Sequence, residues 1–267
     1  MLAVFDQSSD TNTAYYNGSA WSAVTEHATA APTATKEHID FSWSPQNTLK
    51  GALVYPTVAA DLTINMKVWT ANGSGGGSWS GTADSGGSPR RLGPVSISGR
   101  MGAEEMLACQ KDANSDIYCF RGNTTPVWAT PTNNILTANS DAGIQRSFEI
   151  AHESVSGAEG LAVYSINSNV PKYRLYTAGT NSFGAETNLL AGAGTIGTSL
   201  ETARIRQHPD NDDLMVILAD TSQDVWTVVW NGSANAVYTT GGFALTTHGV
   251  NGSNDLDFWF DFTWDKN

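Results

Sequence analysis

The sequence predicts an all-β protein built from five repeats of four strands each, and three observations support this prediction. The 267 residues include 26 glycines and nine tryptophans but only 15% charged residues, a composition typical of turn-rich β proteins. Apolar and polar residues alternate in most candidate strands, as expected for strands with one buried face. A glycine turn also recurs about every fifty residues, which indicates a repeat architecture.

The recurring turn follows an apolar strand that ends in or near an aromatic residue. Asn-Gly and related pairs tolerate the positive φ angles that tight hairpins need. Successive turn glycines lie 55, 49, 57 and 53 residues apart, and continuing from the last past the C-terminus to the first gives 53 again. This returning step predicts a closed ring. The glycines are Gly18, Gly73, Gly122, Gly179 and Gly232.

We label the strands of each repeat A to D and expect all of residues 1–267 to form a single domain. Four repeats span residues 38–82, 95–130, 146–187 and 202–240. The fifth takes strand A from residues 256–267 and strands B to D from residues 2–22, so the two ends of the chain pair. Such pairing covers strand edges that would otherwise be exposed. A β-sandwich does not explain the returning step, and the repeats are too long for the coils of a β-helix.

This organisation resembles that of β-propeller proteins, whose blades are four-stranded sheets arranged around a central channel. The chain does not repeat the Gly-His and Trp-Asp pairs of WD40 proteins or the double-glycine pattern of kelch proteins from one repeat to the next, and Ser222–Trp226 matches the sialidase Asp-box only in part. The nearest similarity is to lectin-like and adhesin-like propeller repeats. It implies a non-enzymatic recognition or adhesion module that binds carbohydrate or protein, extracellular or at the cell surface, monomeric, and part of a larger surface protein.

The charge of the chain bears on its partners. The formal net charge is −12 and the isoelectric point is near 4.6, so a phosphate backbone would be repelled and a nucleic-acid partner is not expected. No apolar stretch is long enough for a transmembrane helix, so membrane insertion is not expected either.

The order of the strands divides the loops between two faces. The A–B and C–D turns, including the Asn-Gly turns, fall on one face, and the B–C hairpins fall on the other. The same face as the B–C hairpins carries the D–A linkers, predicted at residues 23–37, 80–94, 129–144, 185–201 and 239–255. Because long loops around a channel commonly carry function, we expect the ligand on the B–C and D–A face.

Aromatic residues are the candidate ligand-binding groups. Sugars present apolar faces that stack on exposed rings, whereas the same rings fill the wedge between blades when they are buried. Both interpretations remain open for each residue. The candidates are Trp21, Trp79, Trp128, Trp226 and Tyr118.

Inner-strand carboxylates support an alternative function. Five-bladed glycosidases of the arabinanase and invertase type carry three acidic residues on inner strands of different blades, and Asp40, Glu149 and Asp261 are placed similarly here. Paired carboxylates perform acid/base hydrolysis when their separation is suitable. The sequence around these acids does not match those enzymes, and charged residues that line a watery channel are the other interpretation. A structural repeat of a surface layer or appendage is a second alternative function.

Three B–C hairpins carry two aspartates four residues apart. Such residues commonly bond their own backbone in turns, and a calcium site is the alternative, because calcium takes carboxylate and carbonyl oxygens. No other cofactor is predicted. The pairs are Asp6 with Asp10, Asp112 with Asp116, and Asp220 with Asp224.

The two cysteines, Cys109 and Cys119, flank the hairpin centred on Asn114. They can face each other across strands B and C, so a disulfide is possible, and two small buried thiols are the alternative. A disulfide would indicate an oxidising compartment.

Overall fold

The structure is a computed structural model, and the residues that it describes contain only β-strands and their connections. These strands form five antiparallel sheets, which confirms the all-β prediction. No helix among these residues is of a length and hydropathy suited to crossing a bilayer. The described residues are 2–7, 10–29, 38–47, 49–56, 63–84, 92–137, 140, 146–156, 159–166, 168–190, 195–222, 224–231, 243–246 and 263–264.

The chain divides into two compact units, one of residues 1–113 with 118–130 and the other of residues 114–117 with 131–267. The first unit holds three sheets, each with its strands in sequence order. The N-terminal sheet consists of β1 (Leu2–Gln7), β2 (Asp10–Tyr15) and β3 (Thr25–Ala28). Sheet 1 consists of β4 (Asp40–Trp43), β5 (Lys50–Tyr55), β6 (Asn65–Ala71), β7 (Gly77–Trp79) and β8 (Ala83–Asp84), and sheet 2 of β9 (Leu92–Gly99), β10 (Glu105–Asp112), β11 (Ile117–Asn123) and β12 (Trp128–Ala129).

The second unit begins with the short strand β13 (Ile135–Thr137) and holds two further sheets. Both have the same up-and-down order as the sheets of the first unit. Sheet 3 consists of β14 (Phe148–His152), β15 (Glu159–Tyr164), β16 (Lys172–Thr177), β17 (Ser182–Phe183) and β18 (Thr187–Asn188). Sheet 4 consists of β19 (Leu200–Gln207), β20 (Leu214–Asp220), β21 (Val225–Trp230) and β22 (Phe243–Thr246).

The sheets of each unit pack face to face through apolar cores. In the first unit Val54, Met66, Ile97 and Met106 are buried between sheets 1 and 2. In the second unit the core between sheets 3 and 4 includes the fully buried Trp230. Burial of this kind stabilises a fold by roughly 25 cal/mol per Å² of apolar surface, so these aliphatic and aromatic faces hold neighbouring sheets together.

The first strand of each of sheets 1 to 4, strand A of its repeat, is called the inner strand, and the inner strands of neighbouring sheets are joined by regularly spaced hydrogen bonds. Ile97 N donates to Asp40 Oδ2 (3.0 Å) and Gly99 N donates to Ser42 Oγ (3.0 Å), each 57 residues apart. Gln207 Nε2 donates to the carbonyl of His152, 55 residues away. The repeat length read from the sequence therefore reappears as the offset between adjacent inner strands.

The turn glycines behave differently from one another. Gly18 and Gly73 have φ angles of 105° and 75°, as predicted for hairpin turns that need the left-handed region. The prediction is wrong for Gly122, which lies within β11 opposite Trp128. In the turn that contains Gly179, Asn181 adopts the positive φ (48°). Gly232 lies outside the described residues.

The predicted linkers contain short strands that the sequence pattern did not reveal. In sheets 1 and 3 the outer strand is split into two pieces that pair with the same neighbour, β7 and β8 with β6, and β17 and β18 with β16. Pieces of two or three residues are too short for a period-2 signal. The linkers at residues 23–37, 80–94, 129–144, 185–201 and 239–255 thus hold β3, β8, β13, β18 and β22.

The predicted pairing of the two chain ends lies outside the described residues, because strand A of the fifth repeat falls on undescribed positions. Trp264 is described. Its indole Nε1 donates to the carbonyl of Arg206 at 3.1 Å, 58 residues away, and its ring packs edge-on against His208 with centroids 4.6 Å apart.

Candidate functional site

A polar cavity of about 340 Å³ opens in sheet 2 of the first unit. We call it the Glu105 pocket. The A–B turn between β9 and β10 and the C–D turn between β11 and β12 form its walls, so it lies at the end of the sheet opposite the B–C hairpin. It is lined by residues 103–105 and 121–123 together with Thr125, Val127 and Ala129.

Glu105 is the central acid of the pocket. It begins β10, and its side chain is 11% exposed. Arg100 Nη1 lies 3.5 Å and Arg121 Nη1 lies 3.7 Å from its Oε2 atom. Arginine and carboxylate side chains at such separations form charge-assisted contacts that fix each other's orientation. The side chain of Arg121 is 36% exposed, so the pocket presents a cationic side chain to solvent beside the buried carboxylate of Glu105.

Glu104 anchors the pocket to sheet 1. Its carboxylate accepts hydrogen bonds from Thr124 Oγ1, from Asn47 Nδ2 (2.9 Å) and from Lys50 Nζ (3.2 Å). These bonds, that from Thr124 first, hold the pKa of Glu104 well below its usual range. A carboxylate with this many donors stays ionised and fixed, so Glu104 supports the wall of the pocket.

Apolar surface borders the pocket. Val127, in the C–D turn, is 59% exposed. The neighbouring Trp128 turns the other way, packs against Phe120 and the core between sheets 1 and 2, and donates from Nε1 to the carbonyl of Ala83 (3.1 Å). The pocket therefore combines opposite charges, hydroxyl and amide groups, and a small apolar rim.

Of the five predicted aromatic candidates, one is exposed and four pack against other residues. Trp21 is 51% exposed and its ring lies 5.5 Å from that of Tyr16, at the C–D turn of the N-terminal sheet. Trp79 packs among His27, Phe41 and Trp69. The others, Trp128, Trp226 and Tyr118, are partly buried against the cores between sheets.

The candidate catalytic carboxylates make structural contacts. Asp40 accepts hydrogen bonds from Phe41 N (2.8 Å) and Ile97 N. Glu149 is buried, with Arg146 Nη2 at 2.7 Å and Arg204 Nη1 at 3.6 Å from its Oε2 atom. Asp261 lies outside the described residues. The structure thus assigns Asp40 and Glu149 contacts that hold inner strands in place.

The aspartate pairs match the turn interpretation best at Asp220. Its Oδ1 atom accepts hydrogen bonds from Ser222 N (2.9 Å) and Asp224 N (3.0 Å), and its Oδ2 atom accepts one from Thr198 N (3.1 Å). The other pairs flank hairpins in the same way, Asp6 and Asp10 at the ends of β1 and β2, and Asp112 and Asp116 around the β10–β11 turn. Within the described ranges no three acidic, histidine or cysteine side chains are grouped to hold a metal ion.

Cys109 and Cys119 form a disulfide between β10 and β11, with Cα atoms 4.1 Å apart. Both residues are fully buried. Of the two alternatives that the sequence left open, the structure contains the disulfide.

No protein-family model matches the chain, and no curated protein matches its sequence. Several solved structures are similar. The BP39L lectin from Burkholderia pseudomallei superposes with a TM-score of 0.63 at 12% identity over 92% of this chain and 69% of that one. The fucose-specific lectin from Aleuria aurantia gives 0.56 at 13% identity over 90% and 74%, and AofleA from Arthrobotrys oligospora gives 0.55 at 8% over 94% and 72%.

These likenesses concern the fold alone. The Aleuria aurantia lectin has a six-bladed β-propeller fold, whereas the described residues of this chain form five sheets.

Sequence reasoning missed Glu105 and Arg121. The only signals were two adjacent acids at the start of an apolar strand and an arginine next to a glycine in a strand otherwise apolar or aromatic. Neither is specific, because the pairing of these side chains depends on the register of two strands and on the A–B turn.

Proposed function

We propose that this chain is a carbohydrate-binding β-propeller module and that the Glu105 pocket binds the sugar. The carrying observation is the partly exposed side chain of Arg121, whose guanidinium lies beside the buried carboxylate of Glu105 in a cavity of about 340 Å³. Sugar hydroxyls both donate and accept hydrogen bonds, so a fixed acceptor beside a fixed donor matches a pair of neighbouring hydroxyls. Val127 supplies an apolar surface for the CH face of the ring.

The similar structures support this ligand class. The Aleuria aurantia lectin is fucose-specific, and a mutant of it has been solved in complex with a methyl fucoside. The BP39L protein is also a lectin. A shared fold does not by itself carry a shared function. The proposal therefore depends on the pocket, and fucosides are the first sugars to test.

We propose a ring of five blades, closed by residues 256–264 as the inner strand of the fifth. The support is Trp264, whose contact with Arg206 spans 58 residues. Contacts between the inner strands of neighbouring blades span 55 to 57 residues. Trp264 thus contacts sheet 4 as the next inner strand would.

We propose an extracellular, monomeric and non-enzymatic protein, and part of a larger surface protein. The buried disulfide supports an oxidising compartment. Backbone amides donate hydrogen bonds to Asp40, and two arginines form ion pairs with Glu149. These contacts favour a binding function over hydrolysis. A general acid or base must instead reach a substrate proton.

The pocket lies on the A–B and C–D face, whereas the sequence favoured the B–C and D–A face. Much of that second face falls outside the described residues, so a ligand there stays a prediction. The pocket is the better supported site because it brings Arg100 and Arg121 within 3.5 and 3.7 Å of Glu105 on the first face.

A glycan array followed by calorimetric titration tests the proposal. Arg121→Gln should weaken sugar binding by about tenfold or more, since a hydrogen bond to a charged group contributes about 1.5–3 kcal/mol. Arg174→Gln is the matched control, because Arg174 lies on the corresponding strand of sheet 3 and bonds Tyr164 Oη (3.2 Å). Binding to no glycan, or unchanged binding by Arg121→Gln, would refute the proposal.

A further inference from the structure

The sheets can be aligned by their own hydrogen bonds, which shows whether the Glu105 pocket recurs. At the A–B turn of each of four sheets, the backbone N–H that follows strand A donates to the carbonyl of the residue at or just before the start of strand B. The acceptor residues are therefore equivalent. The pairs are Ser44 with Lys50 (2.9 Å), Arg100 with Glu105 (2.9 Å), Glu153 with Glu159 (3.1 Å) and His208 with Asp213 (2.8 Å).

Strand C can be aligned in the same way. Gly122 pairs with Trp128 as Trp69 pairs with Trp79 and Tyr176 with Phe183. In sheet 4, Trp230 pairs with Leu214, the residue after Asp213, just as Tyr176 pairs with Gly160, the residue after Glu159. The residues one position earlier are therefore equivalent: Val68, Arg121, Leu175 and Val229.

An acid and an arginine coincide at these two positions in sheet 2 alone among the four aligned sheets. Sheet 1 has Lys50 and Val68, sheet 3 has Glu159 and Leu175, and sheet 4 has Asp213 and Val229. The N-terminal sheet cannot supply the arginine, because residues 1–35 contain no lysine or arginine.

The equivalent acid in sheet 3 is Glu159, and its surroundings differ from those of Glu105. Glu105 has two arginine neighbours, whereas Leu175 occupies the position of Arg121 beside Glu159 and packs against the core between sheets 3 and 4. Burial raises the pKa of Glu159. Sheet 3 therefore lacks the paired donor and acceptor that define the Glu105 pocket.

We infer that the chain binds sugar at a single site, so that one copy occupies one glycan and does not cross-link glycans. This inference rests on the proposed function and concerns its valency. A repeat fold offers equivalent positions in every blade, but only one of the aligned blades has the acid and the arginine together. A single-site module gains avidity only when several copies are joined.

Calorimetric stoichiometry tests the inference, with the methyl glycosides of L-fucose, D-mannose, D-galactose and N-acetylglucosamine as probes. We expect one bound sugar per chain in the wild type and loss of all binding in Arg121→Leu. Retained near-ultraviolet circular dichroism would show that this variant is folded. A second measurement is precipitation of a polymer bearing many copies of the bound sugar, which a monomeric single-site protein should not cause.

The outcomes separate the two claims. Two or more sugars per chain, with only one of them lost in Arg121→Leu, would overturn the single-site inference and leave the Glu105 pocket as one of the sugar sites. Sugar binding that is unchanged in Arg121→Leu would overturn the assignment of the sugar to the Glu105 pocket. Binding of none of the four glycosides, and of no glycan on the array, would overturn the proposed function and the valency with it.

Discussion

His27 should make the stability of the first unit depend on pH. It lies on β3 and contacts sheet 1, with Nδ1 3.4 Å from Lys67 Nζ and Nε2 2.8 Å from Thr13 Oγ1. Its ring lies 4.8 Å from that of Trp79. Burial, together with the charge of Lys67, lowers the pKa of His27 from 6.5 to about 4.

The direction of the effect follows from proton linkage. Because the pKa is lowered in the folded state, the unfolded chain binds more protons between pH 4 and pH 6.5. The contribution of neutral His27 is therefore fully present above about pH 6.5 and is lost as the pH falls toward 4. A shift of this size corresponds to at most about 3 kcal/mol at 1.36 kcal/mol per pKa unit. Partial exposure of the ring screens it to about 1–2 kcal/mol.

Urea denaturation of the wild type and of His27→Gln at pH 7.5 and pH 5 measures this difference. Glutamine can still bond Thr13 but does not titrate, so the variant should lose about 1 kcal/mol less than the wild type between pH 7.5 and pH 5, where the effect is only partly developed. Lys67→Met should have a smaller effect in the same direction, because the charge of Lys67 is the second cause of the shift. Equal losses in the wild type and in His27→Gln would refute the reasoning.

Three further predictions concern stability. Trp79→Ala should lower the free energy of unfolding by about 3 kcal/mol or more. Trp21 is half-exposed, so Trp21→Ala should lower it by less than about 1 kcal/mol. Denaturant titration measures both changes, and equal losses in the two variants would contradict the packing described. Replacing Cys109 and Cys119 by alanine should cost about 2–3 kcal/mol, and an unchanged melting temperature would argue against a stabilising disulfide. Gln110→Met should raise the free energy of unfolding by about 1 kcal/mol, because both amide atoms of Gln110 are buried with no hydrogen-bond partner in the described structure. Calorimetric unfolding measures this change, and a lower free energy of unfolding in the variant would show that the amide is hydrogen-bonded in the protein.

The fold was predictable because its signals are local. Asn17 and Asn72 each precede a glycine with positive φ, and each side chain accepts hydrogen bonds from the turn that follows it. Strand β20 is a continuous apolar run before Asp220, and the structure buries almost all of it, as expected for a strand covered on both faces. Short outer strands such as β8 and β18 carry two residues each, and no periodicity can reveal them.

The candidate site was not predictable for a related reason. Glu105 and Arg121 are sixteen positions apart on strands β10 and β11, and neither lies in a recognisable motif. Their proximity depends on strand register and on the conformation of the A–B turn. The aromatic candidates were visible in the sequence, but whether Trp79 packs or Trp21 is exposed is decided by sheet packing.

A crystal structure of the chain with a bound sugar tests the central claim most directly. Our account predicts electron density for one sugar, with neighbouring hydroxyls contacting the carboxylate of Glu105 and the guanidinium of Arg121 and the ring against Val127. A sugar found instead on the B–C and D–A face, with the Glu105 pocket holding only water, would contradict it.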